Sequence, residues 1–229
     1  MEQTSSECEV TAQWIGEERE PLVVIDNLAP NPDALREAAR QLDFAPVGTY
    51  YPGVRAAATE AYFRAVWPTL SSTIREFFGY RRSVTVLRSY YSLMTAPPEE
   101  LMLAQRIPHT DSPDDNQIAV LHYLCPDHTD GTAFFRHRST GFETVNEARS
   151  SSYGEALEAD FKKYGTPEPA YIGSDNAIFE QVHTCDAKYN RALVYRGKML
   201  HCASVSSPEL LLGDPIAGRL TVASFIAAQ

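Results

Sequence analysis

The chain has 229 residues, 44% of them hydrophobic, and a formal net charge of −10. That length and apolar content suit one sizeable core, while the acidic balance excludes a protein that draws its affinity from Lys and Arg clustered against phosphate backbones. No apolar run approaches the roughly 20 residues that span a bilayer, and "MEQTSSECEV" lacks the basic and apolar segments of a secretory signal.

The expectation is a cytoplasmic protein with no nucleic-acid or membrane partner, its oligomeric state left open. Cys8, Cys125, Cys185 and Cys202 are far apart with no CxxC pair, so reduced, mostly buried thiols are expected rather than a disulfide frame.

Residues 1–19 are polar enough to be disordered, which sets a single domain at residues 20–229. "PLVVID" then reads as a short apolar strand. "APNPDALREAARQL" follows as a helix, with Asn31 as N-cap, Pro32 at the first helical position and Leu35, Ala38, Ala39 and Leu42 on one face. In "EAYFRAVWPTLSSTIREFFGY" the apolar face comprises Phe63, Val66, Leu70, Ile74, Phe77 and Phe78, with Pro68 expected to divide or kink the helix.

From Ser83 the pattern changes to β-rich runs, "SVTVLRSYYSL", "IAVLHYL", "TAFFRH", "NRALVYRG" and "RLTVASFIA", separated by Pro, Gly, Asp and Asn clusters. This predicts an antiparallel sandwich or barrel braced by the preceding helices. The stretch from Asn146 to Lys188, with the helical "YGEALEADFKKYG", reads as an insertion over a sheet edge or the mouth.

One segment carries chemistry. In "RIPHTDSP", His109 and Asp111 are two residues apart, so an extended backbone turns both to the same side, where they can offer an imidazole nitrogen and a carboxylate oxygen to one ion. His-x-Asp also occurs as a hydrogen-bonded loop pair, and the third ligand decides between the two. His201, delivered by "RALVYRGKMLHCAS", can supply it. Two histidines and one carboxylate occupy one face of an octahedron and leave open positions, which suits non-haem Fe(II) better than a closed zinc site. Arg219 opens the last strand, 18 residues after His201, and can either face a dicarboxylate inside the barrel or sit at a surface strand end.

The order "LRSYYSL", "PHTDSP", "LHYLCPDHTDGTAFF", "MLHCAS", "GRLTVASF" resembles the iron(II)- and 2-oxoglutarate-dependent oxygenases, most closely their prolyl 4-hydroxylase-like branch, from about Leu22 to the C-terminus. The resemblance implies a mostly β fold with flanking helices around a double-stranded β-helix, the jelly roll shared with cupins. It implies His109, Asp111 and His201 as iron ligands, Arg219 as the partner of the distal carboxylate of 2-oxoglutarate, Tyr123 as a hydrogen-bond donor to that carboxylate, and Tyr91 as a further residue lining its pocket.

The activity implied is that of a dioxygenase that consumes molecular oxygen, hydroxylates a small molecule or an amino-acid side chain, and releases succinate and CO2. The retained Asp111 favours hydroxylation over halogenation, since the related halogenases replace this ligand with a small residue. The chain departs from the family pattern in two places: Asp130 stands where a glycine precedes Gly131, and "MTAPPEELMLAQRI" lengthens the approach to His109. Two other readings stay open, a cupin-like metal enzyme that does not use 2-oxoglutarate and a non-catalytic binding module.

His122 adjoins Tyr123 and must face the other side of the strand. His128, His137 and His183 lie in or beside turns and offer no coherent zinc site, while "RHRST" adds positive charge near the expected mouth.

Overall fold

The computed structural model describes residues 7–80, 82–125 and 130–228. The chain opens with a hairpin, β1 (Glu9–Ile15) and β2 (Glu20–Asp26), paired from Glu9 against Asp26 to Ile15 against Glu20. The sequence expectation began the ordered domain near Glu20. The difference lies in β1 being an edge strand, ordered by backbone bonds along its whole length while most of its side chains stay in solvent, so it lacks the apolar signature of a core strand.

α1 (Pro32–Ala39) starts as expected, with the Asn31 side chain accepting from the Ala34 amide. β3 (Gly53–Ala57) precedes α2 (Glu60–Phe78), which is capped by Thr59 and ends at Gly79 in the left-handed conformation. Pro68 does not divide α2. It lies on the solvent side, and the buried row Tyr62, Val66, Leu70, Ile74 and Phe78 packs the helix on both sides of it.

The β-rich half supplies β4 (Val84–Met94), β5 (Gln117–Tyr123), β6 (Thr132–His137), β7 (Phe179–Cys185), β8 (Ala192–Arg196), β9 (His201–Ala203) and β10 (Leu220–Ala228), with α3 (Glu147–Tyr164) between β6 and β7. Seven strands form one antiparallel sheet in the order β1-β2-β8-β5-β10-β4-β3, and three form a second in the order β7-β6-β9. The two sheets facing each other make the double-stranded β-helix.

Three apolar layers hold this together. The helices α1 and α2 cover the outer face of the large sheet through Val23, Ile25, Tyr62, Leu70, Ile118 and Val222. Between the sheets lie Leu22, Ala119, Tyr123, Phe134, Leu193 and Tyr195. α3 packs Tyr153, Leu157 and Phe161 on the outer face of the small sheet, against Phe135, Phe179 and Leu200.

The stretch expected as an insertion over an edge or the mouth therefore divides: its helix backs the small sheet, and its β7 is a strand of that sheet. The small apolar share of α3, a helix covering one narrow sheet, is why it read as an addition. None of the four cysteines forms a disulfide. Among the described residues no helix is long and apolar enough to cross a membrane.

Candidate metal centre

After β4 the chain passes through two short 3-10 turns, Pro98–Glu100 and Leu103–Gln105, and straightens beside β9. His109 and His201 exchange both backbone hydrogen bonds, at 2.9 Å each. Residues paired this way project to the same side, and their rings lie 4.6 Å apart, centroid to centroid. The Asp111 amide donates to the Gly197 carbonyl at 2.7 Å, pinning the H-x-D segment to the turn between β8 and β9. Alternation then returns Asp111 to the side of His109.

Asp111 Oδ1 is 3.9 Å from His109 Nε2, Asp111 Oδ2 is 3.5 Å from His201 Nε2, and one ligand atom from each residue lies within 4.8 Å of the other two. His201 Nδ1 donates to the Met199 carbonyl at 2.8 Å, which holds its proton there and leaves the Nε2 lone pair turned toward Asp111.

Burial pushes both imidazoles down to about 4, so each is neutral at pH 7 with a lone pair to give. The His109 side chain is 52% exposed toward the mouth, which softens the shift there, against 7% for His201 and 13% for Asp111. Burial raises the Asp111 carboxyl, opposed by the fields of His109, Arg88 and Arg55. Two neutral imidazoles and a carboxylate at this spacing, with one side open, fit a divalent first-row metal that keeps free positions.

Arg219 lies at the other end of the same interior. Along β5, Ala119 pairs with Tyr195 beside the histidines, whereas the Tyr123 amide bonds to the Arg191 carbonyl at the far end. Tyr195 stands between the metal face and Arg219, within the fields of both Asp111 and Arg219. Arg219 is 3% exposed. Its guanidinium donates to the carbonyls of Asp130 (3.2 Å) and Gly131 (2.9 Å) and to Met94 Sδ (3.3 Å), and it sits 5.6 Å from the Tyr123 ring centroid.

Among the described residues no carboxylate pairs with Arg219. Gly131 lets the chain entering β6 lie close against the end of β7: a Cβ there would fall 1.8 Å from the Cys185 carbonyl oxygen. The Tyr123 hydroxyl shares a 2.6 Å hydrogen bond with Thr132 Oγ1 and faces the same interior.

Tyr91 does not. It pairs with Val222, which pairs with His122, and all three face the helices. The Tyr91 ring meets Tyr62 at 6.0 Å, edge to face, and His122 is fully buried beside Tyr62. The inward residues of β4 are its neighbours Arg88, Tyr90 and Ser92 instead. Because the Tyr91 hydroxyl makes no hydrogen bond of ordinary geometry among the described residues, Tyr91→Phe is expected to change stability by less than about 1 kcal/mol, as read by a denaturant melt.

The "RHRST" charge is not free either. Arg136 is held by Glu17, Glu143 and Glu180, and Arg138 by Asp175. His137 is tied to Asp160 behind the small sheet, and His183 to Gln13. His128 lies outside the described residues.

The family model described as "Family of unknown function (DUF6445)" matches residues 6–226. The chain belongs to that family. No curated protein sequence matches this DUF6445 member. Among solved structures it is similar to SnoN, the non-heme alpha ketoglutarate dependent epimerase from nogalamycin biosynthesis, with TM-score 0.52 and 12% identity over 92% of this chain and 79% of that one. HygX from Streptomyces hygroscopicus, with nickel and 2-oxoglutarate bound, matches at TM-score 0.47 and 10% identity over 91% and 83% of the two chains. EctD from S. alaskensis, with bound Fe, matches at 0.42 and 10% over 97% and 84%. At these identities the likeness is one of fold.

Several interior residues of the DUF6445 chain escaped the sequence reading. Tyr195 packs its ring 4.8 Å from that of His201, and burial with the fields of Asp111 and Tyr123 holds its hydroxyl well above the ordinary value. Its position two residues after Leu193 was the available signal. Tyr51 and Arg55 come from a loop and a five-residue edge strand with no periodic pattern to mark them.

Proposed function

We propose that the protein is a non-haem Fe(II)- and 2-oxoglutarate-dependent dioxygenase that hydroxylates a small-molecule or amino-acid side-chain substrate. The observation that carries this is the Arg219 guanidinium, buried with no carboxylate partner among the described residues, in the same interior as the open His109, Asp111, His201 face. A buried cation without a counter-ion costs roughly several kcal/mol. A dicarboxylate that reaches from Arg219 to the metal face supplies that counter-ion and also fills the open positions. The order of motifs supports the prolyl 4-hydroxylase-like branch in particular.

In this reading His109, Asp111 and His201 hold Fe(II), and Arg219 takes the distal carboxylate of 2-oxoglutarate with the Tyr123 hydroxyl beside it. Iron bound there supplies, with oxygen, an oxidant for an unactivated C–H bond while 2-oxoglutarate is converted to succinate and CO2. The chain's own residues orient and exclude. The Met199 carbonyl fixes the His201 tautomer, the His109–His201 pairing sets the ligand spacing, and Phe134, Tyr195 and Leu193 keep water from the inner wall. Asp111 occupies the position that the related halogenases vacate, which favours hydroxylation.

The test is anaerobic addition of Fe(II) followed by 2-oxoglutarate, watching for the weak visible metal-to-ligand charge-transfer band. The expected result is a saturable band in the wild type that is absent in His109→Ala. Iron binding with no band at any 2-oxoglutarate concentration sinks the co-substrate and moves a cupin-like metal enzyme ahead.

A further inference from the structure

The inner face of the large sheet carries two more arginines, Arg55 partly buried and Arg88 exposed, that neither the metal face nor Arg219 uses. Arg55 on β3 stands opposite Ser92, Ser92 opposite Thr221, and Thr221 opposite Tyr123, so Arg55 shares the inner face. Arg88 on β4 stands opposite Phe225, which stands opposite Ala119, again the inner face. Aromatic rings hold both guanidiniums: Arg55 is 3.9 Å from the Tyr51 ring centroid and 5.4 Å from that of Tyr90, and Arg88 is 4.3 Å from that of Phe225.

Among the described residues neither arginine has an ion-pair partner. Arg55 Nε is shielded from solvent with no hydrogen-bond partner, and the Tyr51 hydroxyl lies near Ser92 without a hydrogen bond of ordinary geometry. The two guanidiniums are close enough to repel each other and to act on Asp111.

In a chain of net charge −10, with carboxylates in excess, this is a positive spot at the open side of the metal face with no ion-pair partner among the described residues. Filling the proposed site does not neutralise it. A divalent metal, the 2-oxoglutarate dianion, the Asp111 carboxylate and the Arg219 guanidinium cancel one another, and Arg55 and Arg88 remain as surplus positive charge.

Tyr50, next in the chain to Tyr51, and the segment tied to it through Gln105 expose apolar side chains, with Glu99 and Glu100 exposed further along that segment. Tyr50, Met102 and Leu103 are 74%, 41% and 37% exposed. Gln105 fastens two of them, donating to the Tyr50 carbonyl at 3.3 Å and accepting from the Met102 amide at 2.8 Å.

We propose that Arg55, with Arg88 beside it, receives an anionic group, carboxylate or phosphate, on the substrate that is oxidised, whose apolar body rests against Tyr50, Met102 and Leu103. This rests on the oxygenase reading above. The planar fork of Arg55 matches either anion in two parallel hydrogen bonds, and a desolvated guanidinium binds it more strongly than an exposed one does. Arg88, on the exposed end of the row, contributes the smaller share.

The experiment loads the protein anaerobically with Fe(II) and 2-oxoglutarate, and titrates 3-phenylpropionate, phenyl phosphate and the neutral 3-phenylpropionamide by calorimetry into wild type, R55Q, R55K and R88Q. The charge-transfer band is recorded in parallel as a control for folding and co-substrate binding. The expected result is that the anions bind and the amide does not, that R55Q weakens anion binding about tenfold or more and R88Q about threefold, that R55K falls between wild type and R55Q, and that the 2-oxoglutarate midpoint moves by less than about twofold. The tighter of the two anions names the group.

Equal binding of amide and anions, or anion binding unchanged in R55Q, overturns the proposal. So does a 2-oxoglutarate midpoint that R55Q raises as far as Arg219→Ala does, because Arg55 then belongs to the co-substrate. A wild type that binds the anions but never shows the band overturns the oxygenase reading instead.

Discussion

If Arg219 takes the distal carboxylate as proposed, Arg219→Ala is expected to raise the 2-oxoglutarate concentration that half-saturates the charge-transfer band by about a hundredfold or more, while Fe(II) affinity stays within about threefold of wild type. The size of the effect follows from burial. At 3% exposure, water cannot replace the lost guanidinium as a partner for the distal carboxylate, so the variant must either strip that carboxylate of solvent or leave it unbound. The selectivity follows from distance. Arg219 acts on Tyr51, Tyr123 and Tyr195 but touches no ligand of the metal face, and its own hydrogen bonds go to Asp130, Gly131 and Met94.

The fold should survive the change. The two carbonyls that lose their donors belong to residues just before β6, and removing a buried cation that has no carboxylate partner among the described residues offsets part of that loss. Titrating Fe(II) and 2-oxoglutarate separately distinguishes the outcomes. A parallel fall in both affinities means that Arg219 supports the barrel rather than the co-substrate.

How much of this was legible before the structure can be argued residue by residue. The two-residue spacing of His109 and Asp111 survived because an extended segment has only one way to put both on a side, and the backbone pairing with His201 imposes that extended geometry. Helix α1 was legible from its N-cap and proline, which act locally. β1 and β3 were not. They are the two edges of the large sheet, where pairing on one side suffices and apolar alternation is not required.

Tyr91 illustrates the limit. "RSYYSL" contains two adjacent tyrosines, and only the register between β4 and β10 decides which one faces inward, since a slip of one residue exchanges the faces. That register is set at long range and carries an irregularity between Phe225 and Ile226, so no local pattern fixes it. The same dependence hid Arg88, one strand period from Tyr90, and Arg55, whose edge strand has no inside until β4 defines one. Side chains brought together by short-range geometry were readable, whereas Arg55, Arg88 and the facing of Tyr91, which depend on register alone, were not.

Asp111→Asn separates the site from the fold and reverses the order of stabilities. In the metal-free protein the Asp111 carboxyl is raised by burial, so at neutral pH its ionised form is held in the fold at a cost. A folded-state value above the unfolded one means that this group's stability is present below the unfolded pKa and is lost as pH rises through the folded one. Asparagine has the same shape and no charge to desolvate. Metal-free Asp111→Asn is therefore expected to melt higher than metal-free wild type at pH 7 by about 2–4 °C, equivalent to roughly 1 kcal/mol for a chain of this size, with the difference closing as pH falls toward 4.

Adding a divalent metal inverts this. Wild type gains the binding free energy, about 3 kcal/mol when the metal stands at a hundred times its dissociation constant, whereas the variant has lost the anionic ligand and with it at least about a hundredfold in affinity. Thermal melts with chelator and with Ni(II), which binds without turnover, give both comparisons. If Asp111→Asn is destabilised without metal, the carboxylate holds the fold together. If the variant is stabilised as much as wild type by Ni(II), the metal does not use Asp111. The crossing of the two orders is what a side chain kept for chemistry rather than for packing should produce, because the energy it withholds from the empty fold is returned only when the ion that needs it is bound.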